Sequence, residues 1–182
     1  MKFELVDKEQ FIKDFIDSYK YYNLDITLNK DVNCNNKDFR LQVYATNIYQ
    51  ELKLPKRATI GSAGYDFFFP VQLEIPEGLT VRIPTGVKWN PKGAEFDNLA
   101  LFIFPRSSLG ITYALREPNL VTIIDSDYYD CKQNTGHIFI YLRNDGNNGT
   151  CLLRPGTAYS QGVIMPYYIT EDDDTTDAEV KA

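Results

Sequence analysis

Two carboxylates, Asp125 and Asp127, close the apolar run Leu120–Ile124 two residues apart. If the strand continues through them, the two-residue repeat puts both side chains on one face. A carboxylate so placed can orient a water and take its proton, provided it lies within hydrogen-bond reach. Tyr128 follows with a flat ring against which a sugar fits, and Asn119 carries the paired amide donor and acceptor that a pyrimidine edge requires. A strand ending in an ordinary polar turn would show the same residue types.

Three other segments have matching chemistry. Pro105-Arg106-Ser107-Ser108-Leu109-Gly110 sets a charged fork and two hydroxyls at the end of the apolar strand Leu99–Phe104. A phosphate asks for such a group, and a surface turn with a solvated arginine has the same composition. Gly61-Ser62-Ala63-Gly64-Tyr65-Asp66 is a run of small residues ending in a carboxylate. It reads as a tight turn or as backbone shaped for close approach to a ligand. Gln161, after the Pro155-Gly156 turn, has the reach to meet a phosphate or an ordered water.

What is scarce narrows the reaction class. His137 is the single histidine and none of the three cysteines forms a CxxC pair, so a histidine zinc site or a Ser-His-Asp triad lacks its parts. His137 reads as an ordinary residue at the start of a strand. Cys34, Cys131 and Cys151 fit reduced thiols better than a disulfide framework. Hydrolysis would have to run on carboxylates and a hard, oxygen-loving cation such as Mg²⁺.

The elements that must position these groups are mostly strands. From Asp7 to about Tyr22, Phe11, Ile12, Phe15, Ile16 and Tyr19 recur at helical spacing and predict one amphipathic helix. The Asn-rich stretch Asn29–Lys37 reads as a linker. Strands are expected over Arg40–Ala45, Asp66–Phe69, Thr80–Lys88, Leu99–Phe104, Leu120–Ile124, Gly136–Arg143, Thr150–Leu153 and Gln161–Tyr168, punctuated by Pro and Gly turns. Many short strands with little helix between them predict an all-β jelly roll or β-barrel. The expected organisation is a helical extension and linker over 1–37, a β domain over 38–169 and an acidic, flexible tail over 170–182.

A chain of 182 residues suits one core. A net charge of −6 argues against broad nucleic-acid binding, because phosphate backbones are held by Lys and Arg. No stretch reaches the roughly 20 apolar residues that span a membrane, and the start lacks an apolar signal core. A cytoplasmic protein is expected.

Taken in order, the segments resemble the trimeric dUTP pyrophosphatase (dUTPase) family, whose motifs read roughly SAGxDL, PRSxxG, NxxGxIDxDYxG and PGxRxAQ. The first is similar to Ser62-Ala63-Gly64-Tyr65-Asp66-Phe67 and the second to Pro105–Gly110. Asn119 with Ile124-Asp125-Ser126-Asp127-Tyr128 resembles the third, and Pro155-Gly156 with Gln161 the fourth. The resemblance implies a homotrimeric, Mg²⁺-dependent hydrolase of dUTP. It implies that Asp125 activates the water, Arg106, Ser107, Ser108 and Gln161 bind phosphates, and Asn119 reads uracil with backbone groups of Ile123 and Ile124. Tyr128 would pack on the deoxyribose. Asp66 and Asp127 would support the site, and the metal would be held mainly by substrate phosphates and waters, with no direct protein ligand.

The sequence departs from that pattern at Ala158, where the family has arginine, and at Tyr129–Thr135, inserted before Gly136. The resemblance implies a glycine-rich arm after the last strand, and Glu171–Ala182 is acidic instead: either the natural chain runs on past Ala182, or this member works slowly or differently. Two other readings follow: a dUTP-binding regulator with little turnover, which would meet a protein partner through 1–37 or 129–135, and a dCTP deaminase. Deaminases of this fold place glutamate where Asp125 stands.

Overall fold

The computed structural model of the chain describes residues 1–22, 24, 36–94, 98–173 and 175. A short strand, β1 (Lys2–Leu5), leads into α1 (Lys8–Tyr21), where the expected apolar stripe turns Phe11 and Phe15 fully inward. Asp14 and Ser18 lie on the same buried side, so the helix carries polar groups into the core as well.

The next element corrects the expectation of a strand at Arg40–Ala45. Residues Lys37–Glu51 form a second helix, α2. Leu41, Ala45 and Ile48 are its buried residues, spaced four and three apart as one helical face requires. Asn36 caps it, accepting from the backbone N–H of Asp38 at 3.0 Å and Phe39 at 3.2 Å. That asparagine belongs to the stretch read as a linker; within Asn29–Lys37, residues 29–35 lie outside the described residues. α1 packs against α2 and against the β domain of its own chain.

The remaining strands follow in order: β2 (Lys56–Arg57), β3 (Tyr65–Phe68), β4 (Leu73–Ile75), β5 (Thr80–Pro84), β6 (Val87–Asn90) and β7 (Leu99–Pro105). After the short helix α3 (Ser107–Tyr113), of about two turns, come β8 (Leu115–Arg116), β9 (Thr122–Ile124), a 3₁₀ turn (Ser126–Tyr128), β10 (Phe139–Asn144), β11 (Cys151–Leu153) and β12 (Ala158–Pro166). The run expected as one strand over Thr80–Lys88 breaks at Gly86, whose φ of 75° suits glycine. Leu120, at φ 65°, likewise delays the start of β9 to Thr122.

The fold is mostly β, as expected, with three helices among the described residues. Its strands form four sheets, β1-β6, β5-β10-β8, β11-β4 and β2-β3-β12-β7-β9, and no closed barrel. The five-stranded sheet positions the site. In it β7 runs antiparallel to both neighbours, with Phe104 opposite Gln161 of β12 and Leu101 opposite Ile124 of β9. Leu101, Ile103 and Phe67 fill its inner face, so close to Gly162 that a Cβ there would meet Leu101 Cδ1 at 2.8 Å. Cys131 and Cys151 are free thiols and both buried, while Cys34 lies outside the described residues. So do residues 174 and 176–182 of the expected acidic tail. No helix among the described residues is long and apolar enough to cross a membrane.

Helix α2 supplies a direct test. Leu41→Ala, at a fully buried position, should cost about 2–5 kcal/mol, while Gln42→Ala on the exposed side should stay within about 0.5 kcal/mol. Urea denaturation of both variants checks this; a larger loss at Gln42 would contradict the helical face.

Candidate functional site

Two separate clusters emerge at opposite ends of β7. At its C-terminal end Arg106 leaves the strand in extended backbone and enters α3. Its Nη1 donates to Asp66 Oδ1 at 2.6 Å across β12. Asp66 is almost fully buried and Arg106 about one-third exposed, with side-chain accessibilities of 9% and 35%. The pair therefore anchors the guanidinium from beneath while leaving part of its fork toward solvent. Gln161 stands between them in register, opposite Asp66 on one side and Phe104 on the other. Gly64 has a physical reason to lack a side chain, because a Cβ there would meet Gln161 Oε1 at 2.7 Å. The structure thus gathers Asp66, Arg106 and Gln161, with Ser107 and Ser108 exposed at the start of α3.

The other cluster lies beside the N-terminal end of β7. Asp125, Ser126 and Asp127 line a cavity of about 440 Å³ with Ala100, Phe102, Ile123 and Tyr167. Strand β9 stops at Ile124, so Asp125 and Asp127 reach this cavity from a 3₁₀ turn and not as alternate residues of a continuing strand. Ile124 turns into the core at 7% exposure, whereas Ile123 is 55% exposed. β9 is the outermost strand of its sheet. An outer strand presents one row of backbone N–H and C=O groups to whatever approaches it. Asn119 lies exposed in the turn before β9, its carbonyl accepting from Val121 N at 2.7 Å.

Tyr128 is half-buried and packs against the core. Its hydroxyl donates to the carbonyl of His137 at 3.0 Å and accepts from Asn134 Nδ2 at 2.6 Å. Burial raises the phenol above its ordinary range, so the hydroxyl keeps its proton for that bond. His137 lies two residues before β10, outside the strand expected to begin at Gly136, and is fully buried against Asp14. Burial lowers its basicity, opposed by Asp14.

Sequence reasoning passed over Glu117. It is 1% exposed and accepts from Thr122 Oγ1 at 2.8 Å and Ser160 Oγ at 3.3 Å, so one carboxyl joins the strand leading to Asp125 with the strand carrying Gln161. Burial pushes it up to about 7, against the pull of those hydrogen bonds. The fully buried hydroxyl of neighbouring Tyr159 has no hydrogen-bond partner among the described residues. A lone glutamate in Leu-Arg-Glu-Pro-Asn gives no signal of any of this. Among the described residues no group of three or more His, Cys, Asp or Glu side chains is placed to hold a metal ion.

Residues 50–149 match the family model described as dUTPase. The chain is 33% identical over 128 residues to the deoxyuridine 5'-triphosphate nucleotidohydrolase of Lactococcus lactis, covering 70% of this chain and 82% of that one. It is 36% identical over 129 residues to that of Acinetobacter baylyi, covering 70% and 79%. Among solved structures it is similar to the dUTPase from Streptococcus mutans, with a TM-score of 0.57 and 38% identity over 65% of this chain and 88% of that one. A mutant dUTPase from phage phi11 of S. aureus, studied for its coordination of a structural Mg(II) ion, shares the fold at a TM-score of 0.54 and 16% identity, over 73% and 95% of the two chains.

Glu117 makes stability depend on pH in a defined direction. Its carboxyl is raised from 4.5 to about 7 in the folded chain. Between those values the folded chain keeps a proton that the unfolded chain releases, so the contribution of this group to stability falls as pH rises through the window. Glu117→Gln mimics the neutral acid at every pH. Its stability relative to the parent should grow by roughly 2 kcal/mol between about pH 5 and about pH 8. Urea denaturation at both pH values measures this, and a difference that does not change with pH would contradict the assignment.

Proposed function

Because the chain belongs to the dUTPase family, we propose that it hydrolyses dUTP to dUMP and pyrophosphate at a site shared between subunits. Asp125 of one subunit holds the attacking water, and Arg106, Ser107, Ser108 and Gln161 of another clamp the phosphates. The observation that carries this reading is the convergence of Asp66, Arg106 and Gln161 at one end of β7 while the cavity around Asp125 opens at the other. From Ala100, which lines that cavity, to Arg106 the strand extends roughly 20 Å at 3.3–3.4 Å per residue. Two side chains of one subunit do not meet across that distance, so a working site needs a second copy. A homotrimer supplies three equivalent pairings by closed rotational symmetry.

The chemistry follows from the parts. Asp125 takes a proton from a water as its oxygen bonds to the α-phosphorus. The bond from that phosphorus to the bridging oxygen breaks, and pyrophosphate leaves with the electron pair. Arg106, braced by Asp66, faces the charge that grows on the leaving phosphates, and because its position is set before substrate arrives, little reorganisation is needed during the reaction. A Mg²⁺ ion carried by the triphosphate would screen its charge. The nearest motif carboxylate, Asp66, is already engaged with Arg106, which supports a cation carried by phosphate oxygens and waters.

Base and sugar are read at β9. The outward backbone edge of Ile123 and Ile124, with the Asn119 amide, offers fixed donors and acceptors to uracil. Cytosine reverses that pattern and would leave buried groups unpaired, a far larger penalty than a lost methylene contact. The Tyr128 ring packs on the deoxyribose. The relatives are named as nucleotidohydrolases, so neither the regulator nor the deaminase is favoured.

Asp125→Asn keeps the shape of the side chain and removes the base. It should lower kcat for dUTP by about a thousandfold with KM changed by no more than about fivefold. Pyrophosphate release checks this, and a variant within about tenfold of the parent would show that Asp125 is not the base.

A further inference from the structure

Helix α1 reaches the nucleoside side of the site through one buried residue pair. Asp14, 6% exposed on α1, lies with Oδ2 at 2.6 Å from Nδ1 of the fully buried His137. The opposite ring nitrogen, Nε2, accepts the backbone N–H of Gly86 at 2.8 Å. An imidazole that accepts at Nε2 carries its proton at Nδ1, so Nδ1–H donates to Asp14. Gln10 Nε2 donates to the same carboxylate oxygen at 2.8 Å. The ring is thereby fixed at both nitrogens, between Phe11 at 6.1 Å and Phe139 at 4.6 Å between centroids.

The backbone of His137 carries the connection onward. Its carbonyl accepts from Tyr128 Oη at 3.0 Å and from Asn134 Nδ2 at 3.2 Å, and Asn134 Nδ2 also donates to Tyr128 Oη at 2.6 Å. Between these residues the loop is wound tightly. Asp130 and Thr135 take left-handed φ values of 57° and 58°. A Cβ on Gly136 would meet the Tyr128 carbonyl oxygen at 2.9 Å. No slack separates His137 from the ring of Tyr128.

We propose that Asp14 and His137 are positioning residues for deoxyribose selection: through them α1 holds the 129–136 loop, and the loop fixes the plane of Tyr128. The proposal rests on the reading of Tyr128 as the residue that packs on the sugar. It gives the N-terminal helix and the insert a task inside the enzyme, where the sequence suggested surfaces for a separate partner. Exclusion of a 2′-hydroxyl depends on ring placement to a fraction of an ångström, and a ring released from its tether would admit it.

The test uses the full chain with Mg²⁺ and measures kcat and KM for dUTP and for UTP. Asp14→Ala should lower the ratio of the two kcat/KM values by roughly tenfold or more, mainly by raising KM for dUTP and lowering it for UTP. Asp14→Asn, whose Oδ1 still accepts from Nδ1–H, should stay within about threefold of the parent. A general loss of folded enzyme affects both substrates alike and leaves the ratio unmoved. Tyr128→Ala separates this proposal from the reading beneath it. If Tyr128→Ala collapses the ratio and Asp14→Ala leaves it within about twofold, the positioning role is wrong. If Tyr128→Ala leaves it unchanged, the sugar contact itself is wrong and the proposal falls with it. Should Asp14→Ala fail to fold, Asn134→Ala cuts the tether at the other end, and an unchanged ratio there overturns the proposal equally.

Discussion

The register of β7 against its two neighbours is the constraint from which the rest of the site follows. With Leu101 opposite Ile124 and Phe104 opposite Gln161, the strand has one fixed end for the carboxylate turn and another for the arginine. A slip of one residue would turn every side chain to the other face. It would place Ile123 in the core and Ile124 at the surface, against their observed exposures of 55% and 7%. Burial of Leu101, Ile103 and Ile124 therefore sets the register, and the register sets the distance between Asp125 and Arg106. On the proposed mechanism that distance is what calls for a second subunit: the strand that holds both groups also keeps them apart.

Within each cluster, small spaces and buried charges refine the placement. Asp66 is poorly hydrated, and its carboxylate would be costly without Arg106, so each of the two fixes the other. Gly64 leaves the space occupied by Gln161 Oε1. On the other side, Glu117 ties Thr122 to Ser160 beneath the sheet. The N-terminal helix enters the same scheme through Asp14, since the buried imidazole, with Nε2 taken by Gly86, finds the acceptor for Nδ1–H on α1.

What the sequence disclosed depended on whether the signal was local. Proline and glycine turns, alternating apolar runs and the ordered motifs located β3, β7, β9, β11 and β12 and the residues at their ends. The stripe Phe11, Phe15, Tyr19 located α1. Arg40–Ala45 misled because six residues containing Leu41, Val43 and Tyr44 fit a strand as well as a helix, and the third buried position, Ile48, lies beyond that window. Asp125 and Asp127 were found, but their shared strand face was not, since the strand yields to a 3₁₀ turn. Asp14 with His137, and Glu117 with Ser160, join residues 123 and 43 positions apart. No spacing rule reaches across such separations, and a single histidine with no partner in sequence is silent about which helix it meets.

The central claim is that Asp125 and Arg106 act together only across a subunit boundary. Its most direct test is complementation: Asp125→Asn and Arg106→Gln subunits, each inactive alone, are unfolded together, refolded as a mixture and assayed for pyrophosphate release from dUTP. Shared sites in randomly mixed rings predict recovery of about a quarter of the parent activity, because one pairing in four joins an intact Asp125 to an intact Arg106. A mixture no more active than either variant alone would place both residues in the same subunit's site and contradict the account.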